Sequence, residues 1–175
     1  TFMVCIDQFE TSGNMTDVMA ALSCLVNTDD GERDRVLGIF YDKWKDEALV
    51  VDKWLSLQAG SRLADTFERV KALASHESFN IKNPNKVRSL IGVFAGGNPY
   101  HFHRQDGAAY EFIADKIIEL DHFNPQVAAR LVGVFTRWRQ YDESRQKLMQ
   151  DQLQRISHID GLSKDVGEII SKSLM

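Results

Sequence analysis

Four positions carry side chains whose type and spacing suit recognition chemistry: Arg88, Gln126, Arg130 and, on the same helical edge, Arg137. Gln126 and Arg130 stand four residues apart, which makes them neighbours on a helix surface. A guanidinium presents a planar fork of donors, and an amide beside it adds one more, a combination suited to peptide carbonyls or a carboxylate. Arg88 lies at the margin of the apolar face of a second, similar segment. The competing reading for these side chains is solvated charge, or pairing with nearby carboxylates. His101-Phe102-His103 is the nearest approach to a ligand cluster. Two imidazoles on a turn could meet a metal if a third ligand came close, and only Asp106 has useful spacing. Loop hydrogen bonds by His103 and Asp106, with capping of the helix that follows, are the alternative. The chain contains no H-E-x-x-H pair, no glycine-rich phosphate loop and no nucleophile elbow, so no catalytic residue is assigned.

These side chains need helices to position them. Apolar residues recur at helical spacing from residue 15 onward, and there are only three prolines, which predicts an all-α fold. The first helix places Met15, Val18, Met19, Leu22 and Leu25 on one face, with Asn14 or Thr16 as its cap. A second runs from about Asp30 to Lys45 around Val36, Phe40 and Trp44, and a third over 49–57 carries Trp54. Further amphipathic segments are expected at 63–75, 84–95, 107–121, 124–141, 142–157 and 163–174, joined by short connections. Trp44, Trp54 and Trp138 all occupy apolar helical positions and are assigned to packing. Residues 1–13 resemble a linker or strand end belonging to a preceding domain. Thr1, standing where a native start would carry methionine, suggests a piece of a longer chain.

A repeat organises the second half. NPNKVRSLIGVF begins at Asn83 and NPQVAARLVGVF begins 41 residues later at Asn124. Both copies open with an asparagine cap and a proline at the first helical position, where a missing N–H costs nothing. Leu90, Val93 and Phe94 then match Leu131, Val134 and Phe135. The period falls in the range of HEAT and armadillo helix pairs, which stack because one pair cannot cover its own apolar face. The expected architecture is a HEAT/armadillo-like, right-handed superhelix of antiparallel helix pairs, with a compact bundle as the alternative. Stacked copies would bring Arg88 and Arg130 onto one concave surface.

Composition narrows the function classes. At 175 residues the chain can bury a real core. A net charge of −4 argues against a nucleic-acid partner, which calls for a clustered basic face. The apolar runs are too short for a transmembrane helix, so no membrane partner is expected. Cys5 and Cys24 are too few for a disulfide framework, which fits a reducing compartment.

NPNKVRSLIGVFAGGNPYHFH, DGAAYEFIADKIIELDHFNPQVAARL and RWRQYDESRQKLMQDQLQRI closely resemble the C-terminal domain of the bacterial aminopeptidase N family, also called membrane alanyl aminopeptidases. NMTDVMAALSCLV and DKWLSLQA match it too, so the resemblance runs from about Asn14 to Met175. It implies that 14–175 form the helical C-terminal domain of a cytoplasmic zinc metallopeptidase that removes N-terminal residues from peptides. The zinc, which polarises the scissile carbonyl and activates a water, would lie in an upstream catalytic domain of the same polypeptide. No zinc is expected in this chain, and alone it would be inactive. Its part would be to close over the active site and line the substrate cavity, with Arg88, Gln126 and Arg130 at matching positions as substrate-binding residues for peptides. One departure is Gly107-Ala108-Ala109-Tyr110, where the family often has Gly-Ser-Gly-Tyr, a change that bears on turn geometry. The alternative function is a stand-alone HEAT-like scaffold that grips a peptide or protein.

Overall fold

The computed structural model describes residues 2–29 and 31–175; Thr1 and Asp30 lie outside the described residues. Among the described residues every regular element is helical: α1 (Phe2–Thr11), α2 (Met15–Leu25), α3 (Gly31–Trp44), α4 (Ala48–Ala59), α5 (Thr66–Leu73), α6 (Pro84–Val87), α7 (Val93–Gly97), α8 (Pro99–Phe102), α9 (Ala108–Asp121), α10 (Pro125–Val132), α11 (Glu143–Ser157) and α12 (Lys164–Leu174). A π segment, Arg88–Gly92, joins α6 to α7, and a 3-10 turn, Trp138–Gln140, precedes α11. Successive helices pack on one another from α1 through α5, and α9 and α10 continue the pattern, with α11 packed on α9, α12 on α10 and the two on each other. This is the HEAT/armadillo-like layering that the repeat predicts.

Caps fix the starts. The Asn14, Asn83, Asn98 and Asn124 side chains each accept a backbone N–H from the first turn of the helix they precede, and proline follows the last three. Asp142 and Ser163 cap α11 and α12 in the same way. Buried Asp121 accepts from both the Ser163 N–H and the Ser163 hydroxyl, which ties the end of α9 to the start of α12. Gly107 has φ 71°, and a Cβ there would meet Leu148 at 3.0 Å. Only glycine accepts that conformation without strain, and it is this first residue of the Gly-Ala-Ala-Tyr stretch that makes the turn, with Ala108 already opening α9.

Packing does the rest. Tyr110, Phe40, Phe94, Phe102 and Phe135 are the largest fully buried side chains. Trp54 and Trp138 are buried and donate their indole N–H to the carbonyls of Leu37 and Ser173, both at 3.1 Å. Trp44 is half-buried. Beneath α6, Lys86 reaches the Asp52 carboxylate at 2.8 Å and the Ala48 carbonyl at 3.0 Å, which pins the start of the first repeat copy to α4.

Three expectations are corrected. Residues 2–11, expected as a linker or strand end, form α1 and pack against α2. The helix expected over 84–95 contains a wider turn: the Val93 N–H bonds to the Arg88 carbonyl, five residues back, and Ser56 donates to the Ser89 carbonyl at 3.0 Å. The helix expected over 124–141 ends at Val132. A Cβ on Gly133 would stand 2.9 Å from the Arg130 carbonyl oxygen, so glycine permits a tightening there. The N–H groups of Val134, Phe135 and Thr136 then bond three residues back, at 3.2, 2.9 and 3.3 Å. Three residues per turn replace 3.6, so Arg137 does not continue the edge that carries Gln126 and Arg130.

Candidate functional site

The two repeat copies enclose a pocket of about 230 Å³ between them. Pro84, Val87, Arg88 and Gly92 come from the first copy, and Val127, Arg130, Leu131 and Val134 from the second. Every lining residue therefore belongs to the repeated sequence. Val127 and Val134, expected simply to fill the core, are only half-buried because they form the wall of this pocket. Six of the eight side chains are apolar or absent, and the two that remain are both guanidinium groups.

Local folding sets these two arginines differently. In the alignment of the copies Arg88 matches Ala129, and Arg130 matches Ser89. They nonetheless border the same pocket, the first at the start of the π segment and the second in the last turn of α10. Arg88 is tethered: its Nε donates to the Pro84 carbonyl at 3.2 Å and its Nη2 to the Asn85 side chain. Arg130 is exposed and makes no side-chain hydrogen bond or ion pair among the described residues. An unpartnered guanidinium lining an apolar pocket suits an anionic group.

Gln126 is placed elsewhere. It lines a second, more open groove between α10 and α12, together with Ala129, Arg130, Asp165, Glu168, Ile169 and Lys172. Lys172 holds Glu168 at 2.6 Å and keeps its carboxyl below the usual range. Arg130 thus stands on a ridge, with the apolar pocket and Arg88 on one side and Gln126 with two carboxylates on the other. The structure brings Arg88 and Arg130 together and separates Gln126 from Arg88. Arg137 lines neither.

The histidine pair serves a different purpose. His103 Nδ1 lies 2.8 Å from the Tyr110 hydroxyl, its ring packs on Tyr141 with centroids 4.1 Å apart, and its carbonyl accepts from Arg145 Nε at 2.7 Å. Asp106 accepts the Ala108 N–H at 3.1 Å and pairs with Arg104. His101 is buried, edge-on to Tyr100. Among the described residues no three His, Cys, Asp or Glu side chains converge to hold a metal ion, and these imidazoles do not fit a zinc site.

Burial first, and the Arg145 charge second, lower the pKa of His103, while burial pushes Tyr110 up to about 12. The folded chain therefore holds His103 neutral, whereas the unfolded chain protonates it near the ordinary value of about 6.5. Below that pH the unfolded state binds more protons, so the stability due to neutral His103 is present above about 6.5 and lost as pH falls through the lower folded-state value. Urea unfolding at pH 7.5 and 5.5 should show a drop in stability that is smaller in His103→Gln. An equal drop in both proteins would contradict this.

A family described as a domain of unknown function (DUF3458_C) with ARM repeats matches residues 2–175. Aminopeptidase N of Escherichia coli (strain K12) is 44% identical over 167 residues, which are 95% of this chain and 19% of that protein. Aminopeptidase N of Haemophilus influenzae is 43% identical over 166 residues, again 95% and 19%. Among solved structures, Legionella pneumophila aminopeptidase A in complex with aspartic acid superposes with a TM-score of 0.92 at 40% identity, over 99% of this chain and 20% of that one. The chain spans 19–20% of the length of these relatives.

Proposed function

The chain belongs to the ARM-repeat family DUF3458_C, and from that premise we propose that it is the C-terminal domain of an aminopeptidase of the aminopeptidase N type and forms the substrate-cavity wall of that zinc-dependent enzyme. In this reading the zinc and the bond-breaking groups belong to an upstream catalytic domain of the same polypeptide. The present chain caps that site and holds the far end of the peptide. Arg130 and Arg88 receive its downstream carbonyls or terminal carboxylate through charge-assisted hydrogen bonds, and Gln126 contacts it from the other side of the ridge. All three bind, and none takes part in the chemistry. The observation that carries the proposal is the unpartnered Arg130 beside Arg88 on an apolar pocket built wholly from the repeat. No described helix is long and apolar enough to cross a membrane, which is compatible with a cytoplasmic enzyme.

The experiment is to purify the full polypeptide that carries this chain, determine its zinc by elemental analysis, and follow alanine release from an alanyl anilide, with the isolated chain as control. One zinc per polypeptide and chelator-sensitive release, neither of them in the isolated chain, are expected. A full polypeptide without zinc or activity would leave the repeat as a stand-alone peptide- or protein-binding scaffold.

A further inference from the structure

We infer that the pocket between the repeat copies takes the apolar side chain of a peptide's C-terminal residue while Arg130 takes the carboxylate of that same residue. The inference rests on the substrate-cavity reading above and adds the class of peptide: short chains ending in a leucine-sized apolar residue. Three observations support it. The volume, about 230 Å³, is below the roughly 300–1,000 Å³ of sites for larger ligands and suits a single side chain. The walls are Val87, Val127, Leu131 and Val134, with no carboxylate and no hydroxyl among them, so the depth of the pocket offers nothing to a polar side chain. The charged residues that line it are two guanidinium groups, one of them unpartnered among the described residues, and these complement a carboxylate and repel a C-terminal lysine side chain.

Gly92 provides the probe. A Cβ there would stand 3.7 Å from the Val87 carbonyl oxygen and 4.0 Å from Arg88 Cβ, which is ordinary contact. Its helical backbone gains from a side chain, so Gly92→Leu fills the pocket from within. Val127→Phe fills it from the opposite wall and serves as the second variant. The test measures kcat/KM of the full polypeptide on Ala-Gly-Gly-X free acids, with X as Leu, Gly or Lys, and on the Leu peptide amide. Circular dichroism melts establish that each variant is folded.

With wild type, the Leu peptide should exceed the Gly peptide by about tenfold, the scale of burying part of one apolar side chain, and Lys should fall below Gly. In Gly92→Leu and Val127→Phe the Leu advantage should collapse to the Gly level while free acids remain better than the amide. Equal rates for Leu and Gly in wild type, or a Leu advantage that survives in a folded filled-pocket variant, would overturn the inference. If acid and amide were cut alike, the carboxylate-binding role itself would fail, which is a separate result.

Discussion

Replacing Phe135 by alanine is expected to lower the free energy of unfolding by about 3–5 kcal/mol, the range for deleting a buried aromatic side chain. Phe135 has no solvent exposure. Its ring meets Phe102 and Tyr110 edge-on, with centroids 5.8 and 6.0 Å apart, and neither neighbour can collapse into the space without giving up its other contacts. Tyr110 is committed to His103, and Phe102 ends the short α8 that Asn98 caps. Phe135 also lies in the tightened backbone between α10 and Trp138, where hydrogen bonds run three residues back. Urea denaturation should show a lower midpoint with an unchanged slope. A loss below about 1 kcal/mol would mean that the three rings are not the centre of this half of the core; Phe123→Ala, at a residue half exposed, sets the scale of a surface change.

Much of this fold is legible in the sequence because its signals are local. Asparagine followed by proline marks a helix start on chemistry that needs no tertiary partner, and the cap bonds at Asn83 and Asn124 are where that reasoning puts them. The 41-residue repeat likewise announces stacked helix pairs. What the sequence does not disclose is how one motif folds twice. Both copies carry Leu-x-Gly-Val-Phe, yet the first widens into a π turn and the second tightens after Gly133. The difference arises from long-range neighbours. Ser56 on α4 accommodates the displaced Ser89 carbonyl in the first copy, and in the second the Thr136 hydroxyl returns to the Gly133 carbonyl at 2.9 Å.

The site was legible in the same uneven way. Helical spacing places Gln126, Arg130 and Arg137 on one polar edge and Arg88 at the margin of the equivalent repeat helix, and stacking of the repeats predicts that Arg88 and Arg130 meet. It did not anticipate that Gln126 would face α12, because the position of α12 depends on the Asp121 to Ser163 contact, 42 residues apart in the chain. Nor did it single out the pocket walls. Val127 and Val134 have the same periodicity as core residues, and only the packing of one copy against the other leaves them half-buried. The helix at the N-terminus is hard to see in the sequence because Phe2–Thr11 exposes Met3 and Val4, which blurs the apolar stripe that identifies a helix.

If Arg130 grips the end of the peptide remote from the zinc, as proposed, the Michaelis constant of the full polypeptide for alanyl peptides of two to five residues should differ between wild type and Arg130→Ala. Among the described residues the Arg130 side chain makes no hydrogen bond or ion pair, so its removal should leave stability unchanged. A charge-assisted hydrogen bond has a net worth of about 1.5–3 kcal/mol, and this guanidinium is exposed, so the rise in KM should be about tenfold at the peptide length that reaches it. kcat should stay at its wild-type value, the signature of lost binding without lost chemistry. Arg88→Ala should do less, since Arg88 already spends two donors on Pro84 and Asn85. Wild-type Michaelis constants at every peptide length in Arg130→Ala would rule out a peptide-binding role and make Arg130 an ordinary solvated charge.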